Sequence, residues 1–155
     1  MCGISGIFSR EGKASLNKVK EMNNKIAHRG PDDNSFFCND HVAFGHRRLS
    51  IIDLDERSNQ PKEYDGLIIV FNGEVYNYQA IRVDLVNQGY QFSSEGDCEV
   101  VLKAYHMWGE DCVHYFKGMW AFAVYDTRNE TLFCSRDRFG IKPFYYKIDN
   151  GCFYF

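Results

Sequence analysis

Residues 1–8 read Met-Cys-Gly-Ile-Ser-Gly-Ile-Phe, MCGISGIF. A cysteine behind the initiator methionine is small enough for that methionine to be trimmed, which leaves Cys2 at the head of the chain. One residue then carries both a thiol and a free α-amine. With reference pKa values of ~8.5 for the thiol and ~7.7–8 for the amine, the amine is poised to take the thiol's proton directly or through water. Taken alone, a cysteine in an apolar run reads as a buried strand residue. The two readings separate on whether the rest of the chain builds a pocket round its own beginning.

The chain of 155 residues is long enough for one domain with a substantial core. It is 45% hydrophobic and 16% aromatic, which points to a well-packed, sheet-rich globule rather than disorder. A formal charge of -3, with lysines and arginines dispersed among acids, leaves no basic footprint for nucleic acid. No apolar run approaches the ~18–20 residues of a membrane span. Six cysteines could form a disulfide framework, yet a chain this large and apolar does not need one. No basic segment followed by an apolar core opens the chain, so a cytoplasmic, reducing setting with free thiols is expected. Cys98, His106, Cys112 and His114 fit no structural zinc spacing, and no metal site is expected.

Outward from the start, residues 2–9 alternate as a strand, and residues 15–27 place Leu16, Val19, Met22 and Ile26 at helical spacing before Gly30-Pro31. SFFC and VAFGHRRL flank a turn at Asn39-Asp40. Residues 53–65 read as a polar loop. LIIVF (67–71) reads as a strand buried on both faces and ending in a turn at Asn72-Gly73. A helix over 78–88 presents Ile81, Leu85 and Val86. Another over 97–108 starts on Asp97 as N-cap and stops at Gly109. The strands MWAFAVYD and TLFCSRDR turn near Arg128-Asn129, and KPFYYKI and CFYF turn at Asn150-Gly151. This mixed order predicts an α+β fold with two sheets face to face and helices outside. The chain stops at Phe153-Tyr154-Phe155 within what reads as a core strand, so a fragment of a longer protein is expected.

Several polar residues stand where packing alone does not ask for them. Arg48 opens the apolar stretch LSIID; by itself it reads as a surface arginine. Asn72, Gly73 and Glu74 read as a hairpin turn, or as an amide and a backbone N–H aimed at a developing oxyanion. Asp97 reads as a helix cap, or as a carboxylate placed to meet an ammonium group. A thiol with a built-in base, oxyanion donors, one cation and two acids would together suit an amino acid substrate.

Seven blocks make the reading specific: MCGISGIF, HRGPDD (28–33), GHRRLSIIDL (45–54), FNGEVYNY (71–78), EGDCEVVLKAY (95–105), FKGMWAFAVYD (116–126) and RDRFGIKPFYY (136–146). In content and order they resemble class II glutamine amidotransferases. FNGEVYNY and RDRFGIKP are most similar to the glutaminase domain of asparagine synthetase-type enzymes. The resemblance covers almost the whole chain, residues 1–155, as a single glutamine amidotransferase domain.

The resemblance implies an N-terminal nucleophile (Ntn) hydrolase fold, an αββα sandwich of two mainly antiparallel sheets. It implies Cys2 as nucleophile with its α-amine as base, and Asn72 and Gly73 as the oxyanion hole. Arg48 would hold the glutamine α-carboxylate with help from Leu49, Ser50, Ile51 and Ile52. Glu74 and Asp97 would hold the α-amino group. His28, His46, Arg138 and Cys98 are expected to be structural, and HRGPDD and RDRFGIKP receive no chemical role. No cofactor is expected in this domain; ATP and magnesium would belong to a synthetase domain that receives the ammonia. A homodimer is among the expected assemblies. Amidation in cell-surface sugar biosynthesis and a non-catalytic glutamine-binding module are the alternatives.

Overall fold

The structure, a computed structural model, describes residues 2–50 and 55–155. In chain order the elements are β1 (Gly3–Ser9), α1 (Leu16–Lys25), β2 (Asp33–Cys38), β3 (Val42–Arg48), β4 (Lys62–Tyr64), β5 (Leu67–Val75), α2 (Tyr78–Asn87), α3 (Asp97–Trp108), β6 (Gly118–Asp126), β7 (Thr131–Arg136), β8 (Lys147–Asp149) and β9 (Cys152–Tyr154). One sheet runs β2-β3-β1-β9-β8 and the other β4-β5-β6-β7, with antiparallel neighbours throughout.

Alternation of side chains along each strand stacks these elements into four layers. Between the sheets lie Val42 and Phe44 from β3 against Ile68, Val70, Ala123 and Tyr125 from β5 and β6. On the outer face of the first sheet, Ile7 and Ala43 pack on Val19 of α1. On the outer face of the second, Leu67, Ile69, Phe71 and Phe122 pack under Val101 and Leu102 of α3. The continuous apolar run LIIVF follows directly, because odd and even positions both meet a hydrophobic layer. The expected αββα architecture is the one observed.

Local signals place most ends well. Ser15 caps α1 by accepting from the Lys18 N–H, and Ile81 and Leu85 are the buried side of α2. Val86, expected beside them, is 51% exposed, since the helix carries it about 100° round from Leu85. Within residues 55–65, expected as loop, a 3-10 turn (Glu56–Ser58) and the short strand β4 are found.

The Asn72-Gly73 turn is not observed. β5 continues to Val75, and Asn72 and Gly73 pair with Ala121 and Trp120 of β6. Gly73 is required here by proximity: a Cβ would lie 2.4 Å from the Met119 carbonyl oxygen. Likewise KPFYYKI yields a strand only from Lys147.

Candidate active site

Cys2 lies just before β1, beside the end of β3. Its sulfur accepts from the Leu49 N–H at 3.4 Å and lies 3.7 Å from the Leu49 carbonyl oxygen, while Arg29 Nε donates to the Cys2 carbonyl at 3.2 Å. The sulfur faces a cavity of about 170 Å³ whose walls include Cys2, Arg48, Asn72, Gly73, Glu74 and Asp97. Leu49 and Ser50 line the same cavity. Ile51 and Ile52 lie outside the described residues. The remaining residues expected from the sequence therefore meet around one opening, although 95 positions separate Cys2 from Asp97 in the chain.

The backbone of β5 supplies a donor to this cavity, for a reason set by antiparallel pairing. Opposed residues either exchange both backbone bonds or neither. Trp120, opposite Gly73, directs its N–H and its carbonyl to Asp137 on the far side. Gly73 therefore turns its own N–H away from β6, as do Phe71 and Val75, two residues to either side. The Phe71 N–H donates to Gln60 Oε1 at 2.6 Å and the Val75 N–H to Asp97 Oδ2 at 2.9 Å. The Gly73 N–H lies between them, toward the cavity that Gly73 lines. This edge is open because β4 pairs only as far as Ile69.

Arg48 is a buried cation at the end of β3, and its Nη1 donates to the Asp55 carbonyl at 3.1 Å and to Asn59 Oδ1 at 2.5 Å. These contacts fix the plane of the guanidinium at the cavity wall. Asp97 is not the N-cap of α3. Gly96 takes that position in extended conformation, and Asp97 becomes the first helical residue, with its carboxylate returned to β5. Burial pushes the Asp97 carboxyl up to about 6, with the nearby Glu74 carboxylate acting in the same direction and the Val75 N–H opposing. Behind it, Ser93 and Ser94 bind Glu99, which also pairs with Lys103 one helical turn on. Against its burial, these partners hold Glu99 at about 2, so the approach to α3 is tied to a fixed charge.

The whole chain, residues 1–155, matches the sequence profile described as the glutamine amidotransferase domain. This chain belongs to the glutamine amidotransferase family. It is 42% identical over 161 aligned positions to asparagine synthetase [glutamine-hydrolyzing] 1 of Bacillus subtilis, covering all of this chain and 25% of that protein. A putative asparagine synthetase [glutamine-hydrolyzing] 2 of Methanocaldococcus jannaschii is 39% identical over 175 positions, with 100% and 33% covered. The chain thus spans a quarter to a third of the length of these relatives. Among solved structures, a glutamine phosphoribosylpyrophosphate amidotransferase from B. subtilis, complexed with ADP and GMP, superposes with a TM-score of 0.64 over 97% of this chain and 34% of its own, at 18% identity. That likeness shows the shared Ntn-hydrolase fold.

The amidotransferase domain also shows what its sequence left unassigned. Arg29, from HRGPDD, grips the carbonyl of Cys2. Arg138 of RDRFGIKP holds the Val113 and Phe116 carbonyls and lies over the Trp120 ring, a structural task as expected. His46 is fully buried and pushed down to about 4 by burial, so it is neutral at pH 7. Cys98 lines the cavity beside Asp97, but burial and that carboxylate push its thiol well above the ordinary range. Buried Lys142 lines the same cavity. A lysine between Ile141 and Pro143, in an otherwise apolar stretch, was the signal for it. A second opening, of about 270 Å³ and mostly apolar, shares Cys2 and Asn72 with the first and is walled by Ile4, Met22, Phe144 and Phe155.

Proposed function

We propose that this domain hydrolyses the side-chain amide of glutamine through a γ-glutamyl thioester on Cys2. The observation that carries the proposal is the gathering of the sulfur, two oxyanion donors, one braced cation and two carboxylates round one small cavity. Arg48 receives the α-carboxylate, and Glu74 and Asp97 the α-ammonium, which leaves the side-chain amide at Cys2 Sγ. The freed α-amine takes the thiol proton as sulfur attacks the amide carbon. Asn72 Nδ2 and the Gly73 N–H stabilise the oxyanion, and the proton passes to the departing ammonia. Water, deprotonated by the same amine, then splits the thioester to glutamate. The names of the longer relatives support passing the ammonia to an acceptor domain for asparagine synthesis, where ATP and magnesium would act. A cytoplasmic setting and a homodimer complete the reading.

Intact mass combined with a glutamate-release assay tests the core of this. The expected result is a protein lighter by one methionine that releases glutamate. A trimmed protein that binds glutamine and forms no glutamate would instead be a binding module.

Two further results are expected. Arg48→Lys keeps the charge and loses the planar fork, so KM for glutamine rises ~10–100-fold with kcat within about 3-fold, because the contact is made equally in ground and transition states. A steady-state KM at the wild-type level would remove Arg48 from the carboxylate site. The second concerns pH. Asp97 is protonated below about 6 and cannot then pair with the ammonium, so kcat/KM rises with pH up to about 6 and flattens in that component above it. Asp97→Asn removes this component and lowers the plateau; an unchanged profile in the variant would contradict the assignment.

A further inference from the structure

RDRFGIKP, the motif without a role in the sequence, is folded on one carboxylate. Asp137 is 4% exposed and accepts from the N–H groups of Trp120 (3.3 Å), Phe139 (3.2 Å), Ile141 (2.9 Å) and Lys142 (2.9 Å). Burial opposes its ionisation, yet these donors hold it below the usual carboxylate range. Its own N–H donates to the Trp120 carbonyl at 2.8 Å, and its carbonyl accepts from Gly140 at 2.9 Å.

This arrangement replaces a rung of the sheet. The last pair between β6 and β7 is Ala121 with Arg136. In a regular ladder the next pair, Trp120 with Asp137, would exchange two backbone bonds. Here only one is between backbones, and the Asp137 carboxylate substitutes for its carbonyl in the other. The released carbonyl closes a turn on Gly140, so the chain leaves β7 and delivers Lys142 to the cavity wall. On the other side of Trp120 stands Gly73, at a separation too close for a Cβ. Trp120 is thus held by Asp137 on one side and paired with Gly73 on the other, where the β5–β6 register turns the Gly73 N–H away from β6.

We infer that Asp137 is a positioning residue for the oxyanion donors, acting through Trp120 on Gly73, while the same turn sets the Lys142 wall of the cavity. The inference rests on the glutaminase reading above. Asp137→Asn places amide hydrogens against the converging N–H groups, so at least one of them loses its acceptor. Gly140→Ala strains the same turn and leaves the carboxylate in place: Gly140 has φ +63°, and a Cβ would lie 2.8 Å from the Arg136 guanidinium.

The test is kcat per active site in purified protein, with sites counted by a diazoketone analogue of glutamine that alkylates the thiol. Glutamine affinity is measured separately in a Cys2→Ala background. For Asp137→Asn the expected result is a fall in kcat per site of about 10–100-fold, with KM and glutamine affinity within about 3-fold, and a smaller fall of the same kind for Gly140→Ala. Arg138→Ala serves as the structural comparison: its thermal midpoint falls while kcat per counted site holds. Should Asp137→Asn not fold, Gly140→Ala decides. Either variant with wild-type kcat per site, or with its loss confined to KM, overturns the inference. A wild-type protein that releases no glutamate strikes the glutaminase reading instead.

Discussion

Cys2→Ala is expected to lower glutamate release by at least about 10⁴-fold while leaving glutamine affinity within about 3-fold, because every group assigned to the zwitterion lies on other elements. The sulfur stands at the junction of the two cavities, held against Leu49, and no other described thiol can replace it. Cys98, which lines the same cavity, is kept in its neutral thiol form by burial and the adjacent Asp97. Cys2→Ser is the stricter test. It keeps the geometry but offers the same α-amine a hydroxyl far less acidic than a thiol of reference pKa ~8.5, so base-assisted attack is much less favourable. Its rate should fall far below that of the wild type. Initial-rate assays and calorimetric glutamine titrations read both quantities, and substantial turnover by Cys2→Ala would eliminate the thioester route.

Asn72→Ala should lower kcat by about 10²–10³-fold, equivalent to roughly 2.7–4 kcal/mol of transition-state stabilisation, with a much smaller change in KM. The reason lies in how the pair is presented. The Asn72 side chain leaves β5 on the inter-sheet face, where Cys2 stands, while the Gly73 N–H leaves the same strand along its edge. Two donors from adjacent residues can thus converge on one oxygen without rearrangement. Asn72→Asp should be worse than alanine, since it sets a negative charge where another develops. If Asn72→Ala raised KM and left kcat intact, Asn72 would be a ground-state contact only, and the oxyanion would need a different partner.

Much of this site could be read in the chain before any coordinates. The leading cysteine, the arginine after a strand, and the acids at Glu74 and Asp97 each carry a chemistry that residue type alone declares. Their joint demand for a small zwitterion needs no geometry. The strands and helices were equally legible where one period dominates: the apolar spacing of α1 and the two-faced run of β5 are each written within a few consecutive residues.

What could not be read depends on partners distant in sequence. Asn-Gly is a strong turn signal, yet at residues 72–73 nine rungs with β6 outweigh it, and the missing Cβ serves close strand approach rather than a bend. Asp97 has the chemistry of a helix cap, but the unpaired N–H of Val75, 22 positions away, claims its carboxylate. Asp137 looks like one acid among several charges until Trp120 is seen to require both its backbone N–H and its side chain. The sequence by itself determined which reactive groups this protein owns and which segments alternate or coil, because these follow from side-chain chemistry and short-range period. Only the tertiary structure decided which backbone donors remain open to a substrate, since antiparallel parity and burial are properties of paired strands and not of either strand alone.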